Sequence, residues 1–135
     1  MIFWRFIFVL SALNGFLAVL LGAAGSHILA SRMIEGGPAL FSLASQYHMW
    51  HSLVLLALSL FSLNRTACRD TLPRISTLFF LLGIILFSGN LYFRSFTEVY
   101  SLSFLIPVGG TFLMAGWLML ALSVVCIGKA PAGEI

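Results

Sequence analysis

The side chains able to do chemistry are few and lie within apolar runs: His27, Gln46, His48, His51, Ser88, Asn90 and Tyr92. An imidazole titrates near physiological pH, so it can ligate a metal, relay a proton or act as a hydrogen-bonding group. His48 and His51 stand at i,i+3 and share a helix face, and Tyr47 reaches the same face at i,i+4 from His51. That spacing can set two imidazoles on one ion. However, no carboxylate or thiolate accompanies them on that side except Glu35 and Glu98 in the connecting segments. No metal and no cofactor are expected. Structural hydrogen bonding is the favoured reading of the histidines, with a small-ligand contact or a proton relay as the alternatives.

Covalent catalysis has little to work with. The sequence holds no glycine-rich phosphate loop, no Gly-x-Ser-x-Gly elbow, no His-Glu-x-x-His motif and no paired carboxylates inside an apolar run. Ser45 or Ser88 beside a histidine is the nearest approach to a nucleophile with its base. Serines in membrane helices more often bond back to the backbone, so a non-enzymatic protein is expected.

The elements that must position these groups follow from composition. Of the 135 residues 61% are hydrophobic and 8% charged, and the mean hydropathy is +1.09, so polar surface is too scarce to cover a water-soluble globule. Lipid is the natural surrounding. The net charge of +3 comes from basic residues scattered singly between apolar runs, which argues for topology signals rather than a nucleic-acid partner. Charge-free stretches occupy 6–31, 40–64, 75–93 and 100–128. Each supplies the roughly 20 residues that a helix needs to cross about 30 Å of hydrocarbon. Runs this long without alternation exclude a barrel.

The predicted fold is therefore all-α: a four-transmembrane-helix bundle in one integral membrane domain, residues 1–135. The helices are expected at about 6–30, 39–64, 75–95 and 101–128, with sequential neighbours antiparallel. The first run also carries features of a signal peptide, with small residues 22–26 at its end. Its length and the internal Asn14 favour a retained helix.

Orientation follows from the basic residues. Arg5, Arg65, Arg69, Arg74 and Lys129 gather on one side and only Arg32 and Arg94 on the other, which places both termini in the cytoplasm. Cys68 and Cys126 then fall toward the reducing side and are expected to be inert thiols.

This topology carries the polar residues toward the outer leaflet, where His27, His48, His51, Asn90 and Tyr92 are expected to form one hydrogen-bonded cluster with Gln46 and Ser88 nearby. Asn14, Ala18, Gly22 and Ser26 recur at i+4 and form a small-residue stripe for close helix packing. Gly109 and Gly110 either permit close packing against the first helix or, with Pro107, interrupt the fourth helix as in transporters. Trp4, Trp50 and Tyr100 suit an interfacial belt, and Arg94 and Glu98 are spaced to pair.

Four ordered segments carry a family resemblance: Gly22-Ala23-Ala24-Gly25-Ser26-His27, Tyr47-His48-Met49-Trp50-His51, Leu86-Phe87-Ser88-Gly89-Asn90-Leu91-Tyr92, and Pro107-Val108-Gly109-Gly110 followed by Gly116-Trp117. Together they resemble the Domain of Unknown Function 423 family of small bacterial inner-membrane proteins, which includes a small animal transmembrane protein. Ala24, Ser26 and Asn90 depart from the expected pattern. The resemblance implies an inner-membrane location and the architecture above, and it implies no reaction. From the residues, the expected function is that of an accessory or small-molecule-binding membrane protein. Membrane lipids, an unidentified small ligand and a homo-oligomer are the expected partners. The competing class is a proton-coupled transporter or ion-conducting homo-oligomer.

Overall fold

The computed structural model of the chain describes residues 1–64 and 71–127, and among them it is all-helical, with no strand. Helix α1 spans Ile2–Ser26 and α2 spans Gly37–Leu63. A composite helix, Thr71–Arg94, is built from α3 (Thr71–Gly83), a π-helical segment (Ile84–Gly89) and the short α4 (Asn90–Arg94). Helix α5 spans Leu105–Ile127. Three stretches, Ile2–Ser26, Thr71–Arg94 and Leu105–Ser123, are long and apolar enough to cross a membrane. The 27-residue α2 is as long, but Gln46, Tyr47, His48, Trp50 and His51 interrupt its apolar run.

The helix boundaries differ from those read in the sequence, each for a local reason. Helix α1 begins before Arg5, whose long exposed side chain can leave the apolar face, and it ends at Ser26. Beyond it the Ala24 carbonyl accepts from both His27 and Leu29, and a 3₁₀ turn follows at Ala30–Arg32. Gly36 then enters α2 at φ 74°, a left-handed conformation that favours glycine. Helix α3 starts at Thr71 with Pro73 in its first turn, where the missing N–H costs nothing. Helix α5 starts at Leu105 rather than at 101, because Asn90 Nδ2 donates to the Leu102 carbonyl at 2.9 Å and Arg94 bonds Ser103, holding the preceding loop against α4. Pro107 lies in the first turn of α5, which continues unbroken.

Helix α1 packs along α2, and α3 packs along α5, while α2 also lies against the π segment and α4. Two apolar clusters fill the interior. Trp4 and Ile7 meet Leu58 at one end, and Leu55, Phe80, Ile84 and Leu113 form the other cluster. Trp4 is therefore a core residue, only 1% exposed, and not part of an interfacial belt. The opposite faces stay open to lipid: Phe6, Leu13 and Leu118 are about 60% exposed, at 62%, 59% and 64%. Such exposure of large apolar side chains suits hydrocarbon and not water.

The stripe on α1 is partly a packing face. Ala18 is buried, and a Cβ added at Gly22 would lie 2.9 Å from Ser45 Oγ. Gly22→Leu is accordingly expected to lower stability by about 1–3 kcal/mol through overpacking. An unchanged thermal midpoint in detergent would show that the α1–α2 contact is looser than described. Ser26, in contrast, is exposed and bonds back to the Gly22 carbonyl at 2.9 Å.

Gly109 and Gly110 do not approach the first helix. A Cβ on Gly109 would run into the backbone of Leu86 and Phe87, so this glycine lets α5 press directly on the π segment. A Cβ on Gly110 would touch only the Phe87 ring, at 3.8 Å.

Candidate functional site

The central polar group is His48, buried on α2 and bonded to two other helices. Its Nε2 lies 3.1 Å from Asn14 Oδ1 on α1, and its Nδ1 lies 3.4 Å from the Tyr92 hydroxyl on α4. The tautomer follows from the partners. Asn14 Nδ2 donates to the Leu10 carbonyl at 2.8 Å, which turns the acceptor Oδ1 toward His48. Nε2 therefore carries the proton and donates to Asn14, while Nδ1 accepts from Tyr92 across a contact longer than an ideal hydrogen bond. Ser45 extends the group. Its hydroxyl donates to the Ala18 carbonyl at 3.3 Å and stands beside the Tyr92 hydroxyl.

His51 points elsewhere. Its Nδ1 donates to the Tyr47 carbonyl at 2.7 Å, and its Nε2 accepts from the Trp117 indole N–H on α5 at 3.4 Å. A carbonyl can only accept and an indole can only donate, so His51 is the opposite neutral tautomer to His48. The shared helix face does not give a shared site. Three residues turn the second imidazole about 300° around α2, which directs His48 toward α1 and α4 and His51 toward α5. All four ring nitrogens of His48 and His51 have partners, so neither of these two rings offers a free lone pair to an ion.

The single five-residue cluster expected from the sequence is thus divided. His48 and Tyr92 meet. His51 binds Trp117 instead, and buried Asn90 turns to the Leu102 carbonyl. His27 caps α1 in an exposed position, and Gln46 is exposed with a 3.5 Å contact to Ser42. Ser88 is fully buried with its hydroxyl unpartnered, as is Asn90 Oδ1. Arg94 bonds Ser103 and stacks over Tyr100 at 4.2 Å, while Glu98 is exposed.

The depth of the site also differs. Asn14 lies at the middle of α1, Trp50 and His51 at the middle of α2, and Trp117 at the middle of α5, so the His48–Asn14 and His51–Trp117 bonds stand at half-height of these helices, while Tyr92 reaches His48 from the end of the composite helix. Trp50 is correspondingly not interfacial. Sequence reasoning assigned Asn14 to packing and missed Ser45 and Trp117 as partners. The signal for Asn14 was present, because an amide in the centre of an apolar run must find a partner.

Above Ser45 a cleft of about 320 Å³ opens between the end of α1 and the start of α2. Gly22, Gly25 and Phe41 line it, and Ser26, Ser42, Ser45 and Gln46 supply hydroxyl and amide groups. No charged residue lines it.

A family model described as "Protein of unknown function (DUF423)" matches residues 21–110. The chain is 36% identical over 115 residues to a UPF0382 membrane protein of Staphylococcus epidermidis, covering 85% of this chain and 91% of the relative. It is 35% identical over 113 residues to a UPF0382 membrane protein of Haemophilus influenzae, covering 83% and 87%. It is 32% identical over 116 residues to the UPF0382 inner membrane protein YgdD of Escherichia coli, covering 86% of each. No solved structure matches. The matched span contains His48, His51, Tyr92 and the Gly109 contact, with Asn14 and Trp117 on either side of it. The apolar spans, the family match and these relatives agree, and the chain belongs to the DUF423 family of membrane proteins.

Proposed function

We propose that this chain crosses the inner membrane four times as an antiparallel bundle with both termini cytoplasmic, and holds a small uncharged polar molecule in the cleft between α1 and α2. Contacts at both ends support the arrangement. Arg74 at the start of the composite helix lies over the Phe3 ring of α1 at 5.1 Å. At the other end the Ile34 amide donates to the Ser95 carbonyl at 3.1 Å. The low hydropathy of α2 fits a fourth span whose polar residues face inward, since His48, His51, Ser52, Ser59 and Ser62 are buried. A fusion reporter placed after Ile135 is expected to read as cytoplasmic, following the five-to-two distribution of basic residues. A periplasmic signal would reverse the orientation.

The observation that carries the binding reading is the cleft itself: neutral, lined by hydroxyls and an amide, and based on Ser45, which joins the His48 network. Catalysis has less support. Ser52 donates to the His48 carbonyl at 2.7 Å and not to its imidazole, and Ser11, Ser95 and Thr77 likewise bond backbone carbonyls one turn back. The Tyr92–His48–Asn14 series ends on the Leu10 carbonyl, which has no proton to pass on, so binding is favoured over proton relay.

Native mass spectrometry from mild detergent tests the reading. The parent chain is expected to retain a small adduct that Ser42→Leu, a change of an exposed cleft residue outside the His48 network, no longer carries. Loss of the adduct with an unchanged melting temperature supports the cleft. An adduct of the same mass in both proteins, or none in either, contradicts it.

A further inference from the structure

A second and larger cavity lies on the other side of α2. Helices α2 and α5 both pack on the π segment but stand apart from each other, which leaves a groove of about 590 Å³ open toward the lipid. Its wall is aromatic. Tyr47 lies 4.7 Å from Phe87 and 5.3 Å from Trp50 between ring centroids, and it stacks on His51 at 5.9 Å and 25°. Trp117 closes the far side against His51. Gly110 leaves part of the wall without a side chain. The groove lies at half-height of α2 and α5, where the surroundings are hydrocarbon.

Two features select an occupant. No charged residue lines the groove, which excludes an ionic headgroup. Tyr47 lines it, and its hydroxyl makes no hydrogen bond among the described residues, although a hydroxyl left unpaired in hydrocarbon is costly. A plain acyl chain offers that hydroxyl nothing. We infer that the groove is a binding site for a neutral membrane-soluble molecule whose planar ring bears a carbonyl, the ring lying among the aromatic side chains and the carbonyl accepting from Tyr47. A quinone ring on an isoprenoid chain has this chemistry. The site is separate from the cleft between α1 and α2, and the inference does not depend on that reading.

Tryptophan emission reports on the groove directly. Trp50 and Trp117 line it, whereas Trp4, the third tryptophan of the chain, is buried in the apolar cluster with Leu58. Purified protein in phospholipid nanodiscs is titrated with menaquinone-4, a quinone that quenches indole fluorescence. Saturable quenching is expected in the parent chain and in neither of two variants. Gly110→Leu fills the groove, and its added Cβ meets only the Phe87 ring at ordinary contact distance. Trp50→Phe with Trp117→Phe leaves Trp4 alone as the emitter. Tyr47→Phe keeps the ring but loses the donor, and its half-saturation concentration is expected to rise about tenfold. Quenching that never saturates, that persists in Gly110→Leu, or that is unchanged in Tyr47→Phe overturns the proposal. Saturable quenching by a dibrominated phosphatidylcholine that menaquinone-4 does not displace would assign the groove to an acyl chain, and overturns it equally.

Discussion

Gly109→Ala is expected to destabilise the bundle by about 3 kcal/mol, the upper part of the range for overpacking, although it adds one methyl group. The added Cβ would clash with the Phe87 amide nitrogen and lie only 2.8 Å from the Leu86 carbonyl carbon. These are backbone atoms within a helix and cannot rotate away as a side-chain end can. Relief requires α5 to move off the π segment, which also disturbs Leu113 against Phe80 and Ile84. Gly110→Ala is the internal control, since its Cβ meets only the Phe87 ring at 3.8 Å, and it is expected to change stability by less than about 0.5 kcal/mol. Thermal or denaturant unfolding in detergent measures both. Equal midpoints for the two variants would mean that α5 and the π segment are not in backbone contact.

His48→Ala is expected to cost about 2–4 kcal/mol, because it opens a cavity and leaves the Asn14 carbonyl and the Tyr92 hydroxyl without their partner. Most of that loss is the cavity and the orphaned groups. The coupling between His48 and Asn14 in a double-mutant cycle is expected near 0.6 kcal/mol and below about 1.7 kcal/mol, the range found for polar pairs between membrane helices. His27→Ala, at an exposed cap, is expected to leave stability unchanged. A cycle giving zero coupling for His48 and Asn14, or a His27→Ala variant as unstable as His48→Ala, would contradict the assignment of partners.

The all-helical architecture was legible because it depends on quantities summed over long stretches. Twenty consecutive apolar residues leave a backbone in lipid few choices, and the small change of boundary at Arg5 or Pro73 does not alter that. The partners of the polar residues were less legible because they depend on rotation about the helix axis and on depth, neither of which a one-dimensional reading fixes. His48 and His51 share an i,i+3 face, yet that face is wide enough to meet α1 on one side and α5 on the other. Trp50 suits an interfacial belt by residue type, yet it stands at the centre of α2. The π segment has no strong sequence signature. Its wider turn sets Phe87 against Gly109, so the destination of the glycine pair could not be read from spacing. Arg65, Cys68, Arg69 and Lys129 lie outside the described residues, as does the side chain of Cys126, and their expected placement rests on the sequence.

The central structural claim is that His48 joins α1 to α4 while His51 is engaged by α5, and the two imidazoles report it through opposite tautomers. Solid-state nitrogen NMR of histidine-labelled protein in bilayers at neutral pH reads the protonated nitrogen of each ring, with His48→Gln and His51→Gln used to assign the signals. The account predicts a proton on Nε2 of His48, donated to Asn14, and on Nδ1 of His51, donated to the Tyr47 carbonyl. Finding the same neutral tautomer at both positions, or an imidazolium at either, would contradict it.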